Sequence, residues 1–181
     1  MWLDVPELQE FYKKPLGNMA SHIIGHHIRE TWPDLRGMSL LGLGFTMPYL
    51  NLFRHESRQI FAAMPASNNV LHWPEGEPGQ TIITHEEALP LADLSIDRII
   101  LIHCVENSEA IRPMMREIWR VLSSSGRLIV IVPNRRGVWA RTEQTPFGFG
   151  KPYSQTQLTR LLNDTLFTPI RKRSVLYAPP T

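Results

Sequence analysis

The run Asp97-Arg98-Ile99-Ile100-Leu101-Ile102-His103 is apolar on both faces. A strand with one wet face alternates; a strand buried on both faces does not. The next segment, residues 108–122, has helical periodicity. Ile111, Met114, Met115, Ile118, Trp119 and Leu122 fall on one stripe, with Ser108 placed as the N-cap. Ser123-Ser124-Ser125-Gly126 ends that helix. A second apolar run follows over 127–133, unbroken from Leu128 to Val132. Strand, helix and strand, with both strands doubly buried, predict a crossover unit in a parallel sheet.

Working outward, the same alternation extends in both directions. Residues 38–43, 59–64 and 81–84 read as three earlier strands, and 48–55 as a helix after the first. Residues 65–80 are rich in Pro, Gly, Asn and Glu and read as a loop with room for one helical turn. Two helices open the chain. Pro6 suits a first turn, and Leu8, Phe11 and Tyr12 form a stripe. Pro15-Leu16-Gly17 breaks that helix. A second spans 18–32, with Met19, Ile23, Ile24 and Ile28 at helical spacing, and stops before Pro33. Past Pro133 a long Gly/Pro loop runs to Pro152. Ser154 caps a helix carrying Leu158, Leu161 and Leu162, and 174–178 is a candidate sixth strand. The fold class expected is α/β: an open, mostly parallel, Rossmann-like sheet with two N-terminal helices and an incomplete C-terminal edge. Ligands of such sheets sit outside the carboxyl ends of the strands, so the residues after each strand are the candidates.

Composition narrows the function class. A chain of 181 residues suits one domain, divided as 1–34 (helical), 35–133 (core) and 134–181 (loop, helix, last strand). A net charge of +2 does not by itself support a nucleic-acid partner. No run is long and apolar enough to span a bilayer, and Asp4, Glu7 and Glu10 argue against a signal peptide. The single Cys104 can form no internal disulfide, which fits the cytoplasm.

Three segments resemble class I S-adenosylmethionine-dependent methyltransferases of the type 11, bacterial kind. They are Leu40-Leu41-Gly42-Leu43-Gly44-Phe45-Thr46; residues 88–97 leading into Ile99-Ile100-Leu101; and residues 115–122 followed by Ser125-Gly126-Arg127-Leu128-Ile129-Val130. Their order and spacing agree over 38–133. The resemblance implies S-adenosylmethionine as cofactor and a methyl acceptor, expected to be a small molecule. Carried over by position, it implies cofactor contacts from Gly42, Gly44, Phe45, Thr46, Met64, His85, Glu86, Leu101, Ile102 and His103. Glycines let a backbone pass close to a ligand.

The sequence departs from the family at two places. No acidic residue precedes the glycine turn, where Leu40, Leu41 and Gly42 stand. The second strand ends in Met64 where the family has a carboxylate for the ribose hydroxyls. Losing a charged acceptor for those hydroxyls costs about 1.5–3 kcal/mol. A catalytically inactive, methyltransferase-like binding module is therefore the alternative reading.

His103 and Glu106, three apart near a helix start, are the candidate catalytic pair, with His103 as general base. His22 and His26 have the i, i+4 spacing of a metal pair but no third ligand, so no metal is expected. Trp139, Phe147, Phe149 and Tyr153, with Arg135, Arg136, Arg141 and Lys151, form a loop read either as a substrate lid or as a nucleic-acid contact, or one that folds back on the sheet. An unpaired edge strand would offer a route to a homodimer.

Overall fold

A computed structural model describes residues 2–66 and 71–177. Five parallel strands, β1 (Ser39–Gly44), β2 (Gln59–Pro65), β3 (Thr81–Thr84), β4 (Ile96–Ile102) and β5 (Leu122–Ile131), form one sheet in the order β3-β2-β1-β4-β5. The helices are α1 (Val5–Lys13), α2 (Pro15–Thr31), α3 (Met47–Leu50), α4 (Ile111–Val121) and α5 (Gln155–Asp164). The Rossmann-like α/β sheet expected from the sequence is the one observed.

The two-residue strand period divides the core into two layers. Leu40, Ile100 and Ile102 face α1, α2 and α3 with Phe11, Tyr12, Ile24 and Tyr49. Leu41, Leu43, Ile99 and Leu101 face α4 and α5 with Met114, Ile118 and Leu161. Strand order reverses between β1 and β4, which pair with Gly44 opposite Ile102. Their carboxyl ends are the switch point, where this class of sheet takes its ligand.

Several boundaries differ from those read off the sequence. Pro15 opens α2 instead of breaking the chain for three residues, as a proline can in a first turn. The helix expected over 48–55 is one α turn, Met47–Leu50, continued as a 3₁₀ turn over Asn51–Phe53. Ala110, not Ser108, is the N-cap of α4. Ser108 Oγ and Glu86 Oε1 both accept the Ala110 N–H, at 3.2 and 3.0 Å. β5 begins at Leu122, and its serines run on in the strand past an irregularity between Ile96 and Arg98.

The sixth strand is not formed over the described part of its range, 174–177. Leu176 takes a left-handed φ of 58°, which breaks an extended run. The segment lies against α2 instead. Val175 and Leu176 pack onto the core, and Arg173 donates to Glu30 at 2.7 Å. β5 is therefore an edge of the sheet among the described residues, half-buried from Leu128 to Val132. Ala178, and residues 67–70 of the expected loop, lie outside the described residues.

Candidate active site at the ends of β1 and β4

The Gly42–Thr46 turn is shaped by its own packing. A Cβ on Gly42 would sit 2.1 Å from Thr46 Oγ1. Gly44 has φ 99°, and a Cβ there would sit 2.1 Å from the Ile102 carbonyl oxygen. Only glycine serves at either position. The Phe45 N–H, a candidate ligand donor, is spent on Ile102 O at 3.1 Å. Pro48 supplies no N–H. Thr46 itself is fully buried, and its hydroxyl has no hydrogen-bond partner.

After β4 the chain turns sharply. His103 has φ 52°, a left-handed conformation uncommon outside glycine. The turn puts its imidazole under α1, where Nε2 lies 2.7 Å from the Tyr12 hydroxyl. That hydroxyl also lies 3.0 Å from the hydroxyl of Tyr49 in α3. The Tyr12 ring stacks on Phe45, centroids 5.5 Å apart and planes within 16°. A 3₁₀ turn over Val105–Asn107 brings Glu106 round, with Oε1 3.7 Å from His103 Nδ1.

Residues 134–153 close over this group. The two ends of the loop are tied by Arg135 N–H to Tyr153 O, at 2.9 Å, and Tyr153 N–H to Pro133 O, at 3.0 Å. Lys151 N–H donates to Glu106 O at 2.8 Å. Phe147 hangs from the loop onto His103, with ring centroids 4.8 Å apart, and packs edge-on against Trp139 and Phe11. The aromatic loop thus folds back on the sheet. Trp139 and Phe147 are buried, while Phe149, Arg135, Arg136, Arg141 and Lys151 stay exposed.

Burial sets the chemistry of this group. It keeps the His103 imidazole neutral, its pKa lowered to about 3, because no adjacent anion outweighs the loss of water. It pushes the Glu106 carboxyl up to about 7, against backbone N–H groups of Glu106 and Cys104 that favour the carboxylate. Burial also raises the Tyr12 hydroxyl and the Cys104 thiol well above their ordinary values. Cys104 donates to Met114 Sδ at 3.5 Å and takes no part. Thr46 Oγ1, His103 Nδ1, Glu106 Oε2 and Trp139 Nε1 are all buried without a hydrogen-bond partner, a concentration native interiors avoid.

The other residues expected at the site are placed apart from this cluster in different ways. Met64 is 1% exposed and packs into the α1/α2 layer. Ile102 points into that same layer and Leu101 into the opposite one. His85 is exposed at the tip of β3. Glu86 Oε1 accepts from Glu109 N–H and Ala110 N–H, at 3.1 and 3.0 Å, and so holds the start of α4. His22 Nδ1 bonds the Asn18 carbonyl, and His26 and His27 face Glu30. Tyr12 and Tyr49 are the site residues that the sequence reading did not place there, while Trp139 and Phe147 come from the loop it read as a lid or as folding back on the sheet. The signal for Tyr12 was present: a tyrosine in an apolar stripe must still bond its hydroxyl.

Residues 41–130 match the family described as "Methyltransferase domain". The chain belongs to the class I, S-adenosylmethionine-dependent methyltransferase family. Solved structures agree on the fold. A Thermotoga maritima S-adenosylmethionine-dependent methyltransferase, described as a possible histamine N-methyltransferase, superposes with a TM-score of 0.68 at 16% identity, over 89% of this chain and 76% of that one. An Aquifex aeolicus S-adenosylmethionine-dependent methyltransferase gives 0.65 at 18%, over 91% and 88%. A Haloferax volcanii protein solved in complex with the Trm112 methyltransferase activator gives 0.67 at 15%, over 91% and 77%. No curated protein is significantly similar in sequence.

The cofactor implied by this methyltransferase family is S-adenosylmethionine. The unpartnered Thr46 hydroxyl, His103 nitrogen and Glu106 oxygen fit a polar ligand at the β1 and β4 ends. Met64 offers no charged acceptor for ribose hydroxyls at the end of β2. No helix among the described residues is long and apolar enough to cross a membrane. Among them, no group of three or more His, Cys, Asp or Glu is placed to hold a metal.

Proposed function

We propose that the chain is an S-adenosylmethionine-dependent methyltransferase acting on a small-molecule acceptor. One observation carries this reading. Three buried polar atoms without partners, Thr46 Oγ1 after β1 and His103 Nδ1 and Glu106 Oε2 after β4, stand at the switch point of the sheet. Each unpaired buried polar group costs about 1–3 kcal/mol, and a polar ligand held there removes that cost.

Thr46, His103 and Glu106 would hold the cofactor and acceptor, with Phe45 and Met64 as apolar walls. When bound, S-adenosylmethionine supplies an electrophilic methyl group. Glu106, the one carboxyl at the site with a pKa near neutrality, takes the proton an N–H or O–H acceptor releases. His103 is neutral and orients Glu106. Tyr12, Phe45 and Phe147 exclude water from the pair. Calorimetric titration with S-adenosylmethionine and S-adenosylhomocysteine tests the reading. Saturable micromolar binding is expected; no binding at millimolar cofactor overturns it.

Met64 and the self-packed glycine turn favour a second reading, a catalytically inactive methyltransferase-like binding or interaction module with weak or no cofactor binding. The same titration separates the two. The proposal also takes residues 1–181 as one domain working in the cytoplasm. It takes the half-buried β5 edge as a route to a homodimer, which light scattering over a range of concentrations would detect.

A further inference from the structure

We infer that Tyr12 is a positioning residue: it fixes the tautomer of His103, so that the Nδ1 proton is aimed at Glu106 and Glu106 serves as the base. The consequence for methyl transfer rests on the function proposed above; the tautomer does not.

Tyr12 has one hydroxyl proton and two buried partners, Tyr49 Oη at 3.0 Å and His103 Nε2 at 2.7 Å. Two arrangements place that proton on one of the partners. In the first, Tyr49 donates to Tyr12, Tyr12 donates to Nε2, and the single proton of the neutral imidazole sits on Nδ1. In the second, Nε2–H donates to Tyr12, Tyr12 donates to Tyr49, and Nδ1 presents a lone pair.

The first uses both hydroxyl donors. It also turns Nδ1–H toward Glu106 Oε1, 3.7 Å away. The second leaves the Tyr49 proton without an acceptor, although Tyr49 is fully buried and its hydroxyl has no other hydrogen bond among the described residues. It also sets a lone pair against the carboxylate. The first satisfies both hydroxyls and leaves its one unpartnered N–H facing the carboxylate, so it holds while Glu106 is ionised. Protonating Glu106 lets its O–H reach toward Nδ1 and removes part of that preference.

The other titratable groups bearing on the pair stay protonated near neutrality. They are Tyr12 from α1, Tyr49 from α3, Cys104 beside the turn and Tyr153 from the covering loop; burial raises all four. The left-handed φ of His103 is the mark of a residue held against its own preference, and such strain gathers at functional sites. Two contacts hold it, the Tyr12 bond on one side and the Phe147 ring on the other. With the proton on Nδ1, His103 cannot accept one from a ligand on that side. The proton of an acceptor goes to Glu106 Oε2, which has no partner of its own.

Two-bond ¹H–¹⁵N spectra of histidine-labelled, cofactor-free protein at pH 8 test this, with His103 assigned by its loss in His103→Gln. The wild type is expected to show the Nδ1–H tautomer. In Glu106→Gln, which removes the carboxylate, Nδ1–H is expected to persist, and adding Tyr12→Phe, which keeps the ring stacked on Phe45, is expected to shift His103 toward Nε2–H. Tyr49→Phe leaves Tyr12 with Nε2 as its acceptor and should keep Nδ1–H. An Nε2–H tautomer in the wild type overturns the inference without any variant. So does a tautomer that Tyr12→Phe leaves unchanged in the folded Glu106→Gln protein. Because no cofactor is present, these results stand whether or not the calorimetric titration finds S-adenosylmethionine binding.

Discussion

The Tyr12 hydroxyl and His103 Nε2 lie 2.7 Å apart although 91 residues separate them in the chain. The bond ties the first helix to the turn after the interior strand β4. Because the Tyr12 ring also stacks on Phe45, α1 seals the β1 and β4 ends together. The hydroxyl alone is tested by Tyr12→Phe. Two buried partners lose their bond, so the expected loss of stability is about 1–3 kcal/mol. Urea denaturation should show a lower midpoint at an unchanged slope.

Gly44→Val is expected to prevent folding rather than selectively to abolish ligand binding. The new Cβ would meet the backbone oxygen of Ile102 at 2.1 Å, and β1 and β4 would have to part. Gly37 provides the control. It has φ 75° but open space around its Cβ position, so Gly37→Ala meets only the conformational cost of about 1–2 kcal/mol. Circular dichroism and thermal melts compare the two. A native-like melt for Gly44→Val would contradict the packing account.

The fold was legible because its signals are local. Ile99 to Ile102 and Leu128 to Val132 read as strands without any partner in view, although 128–132, expected to be buried on both faces, is a half-buried edge, and the Ser154 cap closes a full capping box with Gln157. The site was legible only in part. His103 and Glu106 stand out by type and by position after a strand. What surrounds them is not local: Tyr12 comes from α1, Tyr49 from α3 and Phe147 from a loop over forty residues downstream. Periodicity reports that such residues are buried, not which neighbour they meet. Residues 174–177 failed for the opposite reason. Their apolar pattern is real, but they spend it on α2 instead of the sheet edge.

Glu86 gives a prediction that separates structure from ligand binding. Its Oε1 takes the first free N–H groups at the start of α4, from Glu109 and Ala110. Glu86→Ala is expected to cost about 0.5–2 kcal/mol, as the loss of a helix cap does. Affinity for S-adenosylmethionine should stay within about twofold. A tenfold loss of affinity at unchanged stability would place Glu86 in the cofactor site instead.

The buried pair makes stability depend on pH in a way its two members oppose. Glu106 has its pKa raised from 4.5 to about 7, so the folded state holds a proton the unfolded chain has given up between those values. Its contribution is fully present below pH 4.5 and is lost as pH rises through 7, in all about 3 kcal/mol. His103 has its pKa lowered from 6.5 to about 3, so the unfolded chain binds the extra proton. Its contribution is fully present above pH 6.5 and is lost as pH falls through 3, in all about 5 kcal/mol. Between pH 4.5 and 6.5 the two slopes cancel. The variants separate them. Glu106→Gln removes the falling limb, so its stability relative to wild type should climb between pH 4.5 and 7. His103→Gln removes the rising limb, so its relative stability should drop between pH 3 and 6.5. Urea midpoints measured across pH 3 to 8 read both differences. Parallel curves for either variant and the wild type would show that the residue replaced does not titrate differently in the folded and unfolded states.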